Sequence, residues 1–188
     1  MVAGHSMGAP VVCIYAAAYP VRGVVDVDQP LFVRPFAELV HALAPGLRGD
    51  DFGTAFEPIR QSIGMDRLPE PERSRVAARQ HIRQDLVLGY WDEMLRTTPA
   101  QLQARIDNTA TAIRAPFLAV FGHVLDAQEK QHLRRLLPSA QVEQWPDRGH
   151  LVHLAEPDRF AGRLAAFASQ CFRAGQPNRR TATSWRST

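Results

Sequence analysis

The chain has 188 residues, 45% of them apolar, and 22 Lys and Arg against 19 Asp and Glu give a formal charge of +3. That length and apolar fraction suit one globular domain with an insertion, and they exclude a disordered or fibrous chain. No apolar run approaches the ~20 residues that cross a bilayer, and the opening residues lack the charged region and cleavage site of a secretory signal. A soluble, cytoplasmic protein with no membrane partner is the expectation. The basic residues are almost all arginine, Lys130 being the single lysine, and they are scattered among acids instead of forming a stripe, so nucleic acid is not an expected partner. Cys13 and Cys171 stand singly in apolar surroundings with no metal or redox spacing; no metal and no cofactor are expected.

In chain order, the first element is a short apolar approach, Met1 to Ala3, followed by Gly4-His-Ser-Met-Gly8. Ala9 to Tyr19 is apolar on all sides and stopped by Pro20, which predicts a helix packed tightly against a sheet. Val21 to Val27 is a β-branched run ending at Asp28-Gln-Pro30, which predicts a buried parallel strand with a turn at its carboxyl end. From Leu31 to Arg114 the pattern is helical, with segments near Phe36 to Ala44, Ser74 to Leu88 and Pro99 to Ile113, punctuated at Pro45-Gly46, Gly64 and Pro69 to Pro71. Strand signals resume at Phe117 to Phe121 and at Ala140 to Trp145, separated by an amphipathic helix over Ala127 to Leu137. A last helix starts at Pro157 and runs to about Phe172, and residues 173–188 are polar and basic, as a frayed tail would be. Strands alternating with helices imply an α/β fold on a parallel sheet.

The pentad Gly4-His-Ser-Met-Gly8 carries the chemistry. A serine at a sharp strand-to-helix turn needs small neighbours, because backbone crowds it. Its hydroxyl is a poor nucleophile until a base takes the proton, and the base must itself be oriented by a carboxylate. His150 is the leading base: it follows Gly149 in a loop after a late strand, where no helical periodicity obliges it to pack. His153 reads as a packing or hydrogen-bonding neighbour, and His5 as pointing back toward the sheet. For the acid, Asp126 leads because it follows the Phe117–Phe121 strand at its carboxyl end, where catalytic groups of parallel sheets gather; it equally suits the cap of the helix that starts at Ala127. Asp28, after the previous strand, is the alternative acid, and Asp147 reads as a turn residue.

The order Ser6, Asp126, His150 and the stretches "GHSMG", "APFLAVFGHVLD" and "DRGHLVHLAEPDRFAGRLAAF" resemble the α/β-hydrolase family. The resemblance covers residues 1–28 and 114–172 as core, with residues 29–113 as a helical cap. It implies a serine hydrolase with Ser6 as nucleophile, His150 as general base, Asp126 or else Asp28 as acid, and the Met7 backbone N–H as an oxyanion donor. Family members commonly carry Gly-x-x-Asp after the strand, whereas Gly122-His-Val-Leu-Asp126 is one residue longer.

Measured against that family, the chain starts at the strand leading into the elbow, so it is expected to be the C-terminal part of the fold. Its open sheet edge would then be covered by a partner chain or a second copy. The implied substrate is a small hydrophobic molecule with an ester-like bond; the other reading is an inactive fragment or interaction module. Phe32, Phe36, Tyr90 and Trp91 would either line the substrate entrance or form the cap's own core.

Overall fold

The computed structural model describes residues 1–174. Four parallel strands, β1 (Val2–His5), β2 (Val24–Val27), β3 (Phe117–Phe121) and β4 (Gln141–Gln144), lie in that order in one sheet. Helix α1 (Gly8–Ala18) joins β1 to β2, α8 (Ala127–Leu136) joins β3 to β4, and α9 (Val152–Ala155) and α10 (Pro157–Ala174) follow β4. Between β2 and β3 stands a helical insertion: α2 (Arg34–Arg48), α3 (Phe52–Ser62), a 3-10 turn at Met65–Arg67, α4 (Glu72–Ala77), α5 (Gln84–Tyr90), α6 (Asp92–Arg96) and α7 (Pro99–Ala112).

The period-2 alternation of strand side chains sorts the core into two faces. Val24, Phe117, Ala119 and Phe121 pack with Cys13 of α1, Ala110 of α7 and Leu133 of α8, while Val25, Val27, Leu118 and Val120 pack with Trp145 and with Phe167 and Cys171 of α10. The central strands β2 and β3 are buried at every residue, as strands covered on both faces must be. The insertion has a core of its own, built on Val40, Leu47, Phe56, Ile59, Trp91 and Met94. Gln103, itself buried, fastens this insertion to the chain leaving β2: its Oε1 accepts from the Val33 and Arg34 N–H groups at 2.8 and 3.0 Å, and its Nε2 donates to the Leu31 carbonyl at 2.9 Å.

Helix α1 departs from the sequence reading. Only Ala9, Cys13 and Ala16, spaced to share one face, are buried, and Val11, Ile14, Tyr15 and Tyr19 face outward. Its small residues do allow close approach to the sheet, but on that single face. The insertion differs too. Helix α2 runs through Pro45 to Arg48, because loss of one i−4 bond is outweighed by burial of Ala44 and Leu47 on either side of it. Helix α3, which contains Gly53 and Pro58, forms because Phe56 and Ile59 are buried in the insertion core. The segment expected as one helix over Ser74–Leu88 is split into α4 and α5 by non-helical residues 78–83. The tail expected from residue 173 starts later, since α10 continues through Arg173 and Ala174, and residues 175–188 lie outside the described residues. No described helix is long and apolar enough to cross a membrane.

Candidate active site

The carboxyl ends of the four strands deliver the polar residues, as parallel sheets generally do. Ser6 leaves β1 with φ 51°, a left-handed conformation that a non-glycine residue adopts only where its surroundings impose it. Its N–H donates to the Val27 carbonyl at 3.0 Å and its carbonyl accepts from Ala9, so the turn is bonded to both the next strand and α1. The two pentad glycines are not equivalent. A Cβ on Gly4 would lie 2.2 Å from the Gly8 carbonyl oxygen, while one on Gly8 would meet nothing within 4 Å. Met7 occupies the N-cap of α1, where the first N–H groups of a helix find no intrahelical acceptor.

Asp28 follows β2, also with a left-handed φ of 56°, and is 4% exposed. Its N–H donates to the Val120 carbonyl at 2.8 Å, which continues the β2–β3 ladder past the strand end and fixes the carboxylate over β3. Oδ1 accepts from the Gly122 N–H at 2.6 Å and lies 3.2 Å from His123 Nδ1; Oδ2 accepts from His150 Nδ1 at 2.8 Å. Burial works to raise the pKa of this carboxyl, but the hydrogen bonds from His123, His150 and the Gly122 N–H outweigh it and hold the group well below the usual carboxylate range. With Nδ1 donating to an ionised carboxylate, the neutral His150 imidazole keeps its lone pair on Nε2, the arrangement a general base requires.

His150 is held on its backbone as well. Its carbonyl accepts from His5 Nε2 at 2.8 Å and its N–H donates to the Ile63 carbonyl at 3.1 Å. The His5 ring stacks obliquely on both His150 and His153, with centroids 4.6 Å away in each case. Burial, together with the nearby His150, lowers the His5 pKa to about 4, so near neutral pH it is uncharged and donates through its single N–H. The sequence reading aims His5 back at the sheet, whereas its ring braces the His150 peptide. His153 is half-buried against His5 and Phe160. Asp147 lies in an exposed turn with φ 62°.

Asp126, the leading sequence candidate for the acid, borders the same cavity but its carboxylate is engaged at the start of α8 instead of with His150. Its side chain accepts from the Glu129 N–H at 2.8 Å while Glu129 accepts from the Asp126 N–H at 2.8 Å, a capping box at the start of α8. The carboxylate that meets His150 is Asp28, the alternative. The residue that sequence reasoning did not single out is His123, which directly follows Gly122 and brings a second imidazole to Asp28.

Ser6, Met7, Asp28, His123, Asp126 and His150 all border one cavity of about 980 Å³. Its apolar wall comes from the insertion, with Phe32, Phe36, Phe56, Ile59 and Trp91 facing it, whereas Tyr90 is 72% exposed and stands outside. The two readings of the aromatics therefore overlap: Phe36 and Trp91, in edge contact at 5.6 Å, belong to the insertion core and to the cavity wall together.

A left-handed serine turn, a carboxylate-oriented histidine and a helix N-terminus gather at the carboxyl edge of a parallel sheet. A profile of the alpha/beta hydrolase family matches residues 1–163, and the chain belongs to that family. No curated protein matches it by sequence. Among solved structures it is similar to an esterase from Rhodococcus sp. ECU1013, at 23% identity and a TM-score of 0.52, over 90% of this chain and 64% of that one. E-2-(acetamidomethylene)succinate hydrolase matches at 20% identity and 0.55, over 89% and 65%, and the thioesterase domain from the curacin biosynthetic pathway at 20% and 0.54, over 92% and 66%. The chain thus spans slightly less than two thirds of the length of each of these structures.

Proposed function

We propose that this chain carries a serine-hydrolase site acting on an ester-like bond of a small hydrophobic molecule, with Ser6 as nucleophile, His150 as general base and Asp28 as the orienting acid. The observation that carries this reading is the His150 Nδ1 to Asp28 Oδ2 contact at 2.8 Å beside a left-handed Ser6 in one cavity. In the reaction, Ser6 Oγ attacks the substrate carbonyl carbon as its proton passes to His150 Nε2. The resulting oxyanion is served by the Met7 N–H at the start of α1, and collapse of the intermediate sends the proton to the departing alkoxide. Water then attacks the acyl-serine, giving its proton to Nε2, and Ser6 regains its hydrogen as the acid leaves. The aromatic wall favours an aryl or branched aliphatic acyl group, and its volume accommodates a molecule of drug size.

One observation favours a second reading, an interaction module. Among the described residues β1 is paired on one side alone, and the outer face of α1 beside it exposes Val11, Ile14 and Tyr15. Hydrolysis of p-nitrophenyl butyrate separates the two. The hydrolase reading expects turnover that falls by at least about 10³-fold in Ser6→Ala, and it fails if the folded wild-type chain and the variant hydrolyse the ester equally.

A further inference from the structure

The loop that carries His150 is bonded to the helical insertion as well as to the sheet. The His150 N–H donates to the carbonyl of Ile63, the C-cap residue just beyond α3. Beside this bond two left-handed glycines meet: Gly64 at φ 68° and Gly149 at φ 67°. A Cβ on Gly149 would stand 3.2 Å from the Gly64 carbonyl oxygen and 3.3 Å from that of Ile63. From the sheet side Gly122 presses on the same loop, where a Cβ would lie 1.9 Å from the Gly149 oxygen. The nearby Arg67–Asp147 pair, 3.5 Å apart and exposed, adds little. The restraint therefore rests on the Ile63 hydrogen bond and the glycine contact. Ile59 and Ile63 also face the cavity, so a molecule that presses on the α3 wall presses on the residue that holds the His150 peptide.

We propose that the Ile63–Gly64 turn is a positioning element for His150, through which contacts between a bound molecule and α3 set the aim of the imidazole. This rests on the serine-hydrolase reading, in which His150 is the base. A base displaced by about 1 Å can lose on the order of 10²-fold in rate, so a turn that fixes the His150 backbone affects turnover without touching substrate.

The test compares Gly64→Val with Gly64→Asn. Valine is strongly disfavoured at positive φ, whereas asparagine adopts it readily; a Cβ at this position would meet the long Arg67 side chain at 3.2 Å and the Gly149 Cα at 3.5 Å, an ordinary contact, in either variant. Amide hydrogen exchange read by NMR reports the His150 N–H directly, and hydrolysis of p-nitrophenyl butyrate reports kcat and KM. In Gly64→Val the His150 amide is expected to exchange about tenfold faster or more while the Leu118 and Val120 amides of β3 keep their rates, with kcat reduced about 10- to 10²-fold and KM little changed. Gly64→Asn is expected to restore both. The proposal is overturned if the His150 amide in Gly64→Val exchanges at the wild-type rate, if His150 and Leu118 accelerate together, or if asparagine fails to rescue. Wild-type protein inert toward the ester overturns the hydrolase reading instead, and the exchange rates then decide alone whether the turn holds His150.

Discussion

The Asp28 carboxylate and the His150 imidazole meet at 2.8 Å across 122 residues of chain, brought together at the carboxyl ends of β2 and β4. Asp28 Oδ1 is occupied by the Gly122 N–H and by His123 Nδ1 at 3.2 Å. The Gly122 N–H fixes one oxygen, so that the other is left to aim the His150 ring.

That division of labour separates two aspartates at the cavity. Asp28→Asn preserves the volume but removes the charge that sets the imidazole tautomer, and ester turnover is expected to drop by about 10³- to 10⁴-fold. Asp126→Ala removes a helix cap, worth about 1 kcal/mol in urea unfolding, and turnover is expected to stay within a few-fold of wild type. Reversed effects in the two assays would assign the acid to Asp126.

The pentad glycines give a second contrast. Gly4→Ala drives a methyl into the Gly8 carbonyl, and an overpacked site of this kind costs about 1 to 3 kcal/mol or more. Gly8→Ala meets open space in the first turn of α1 and is expected to be neutral or stabilising by up to about 1 kcal/mol. Thermal unfolding of the two variants decides this, and equal melting temperatures would contradict the elbow geometry.

Buried acids set opposite pH trends. Asp26 is fully buried, its Oδ2 has no hydrogen-bond partner among the described residues, and burial raises its pKa well above 3.8. The folded state therefore binds the proton more tightly than the unfolded chain, and stability falls as pH rises from about 4 through the raised pKa. For Asp28 the shift is downward, so its contribution is present above the usual value of 3.8 and is lost as pH falls below it. Urea unfolding across pH 4 to 8 should show a flatter profile for Asp26→Asn than for wild type. Parallel profiles would mean that Asp26 does not titrate differently in the fold.

Much of this was legible in the sequence, and what was not has a physical reason. Alternating helices and strands, the β-branched run ending at Asp28, and the Gly-x-Ser-x-Gly turn are local patterns, and local patterns survive in one dimension. The choice between Asp126 and Asp28 depends on cross-strand register: Val24 opposite Phe117 carries Asp28 onto Val120 and Gly122, and no spacing along the chain encodes that pairing. Helix α3 was hidden by Gly53 and Pro58, because its helicity comes from burial of Phe56 and Ile59 against neighbours remote in sequence. His5 was misread because a residue beside the elbow was assigned by direction alone, whereas its partner is a carbonyl 145 positions away.

In the proposed mechanism Ser6 is a nucleophile activated by His150. Intact-mass analysis after incubation with a fluorophosphonate tests it most directly, with peptide mapping to locate the adduct. The expected result is a single phosphonyl group on Ser6, absent in Ser6→Ala and formed far more slowly in His150→Ala and Asp28→Asn. An unlabelled wild-type chain that remains folded, or an adduct on another residue, would contradict it.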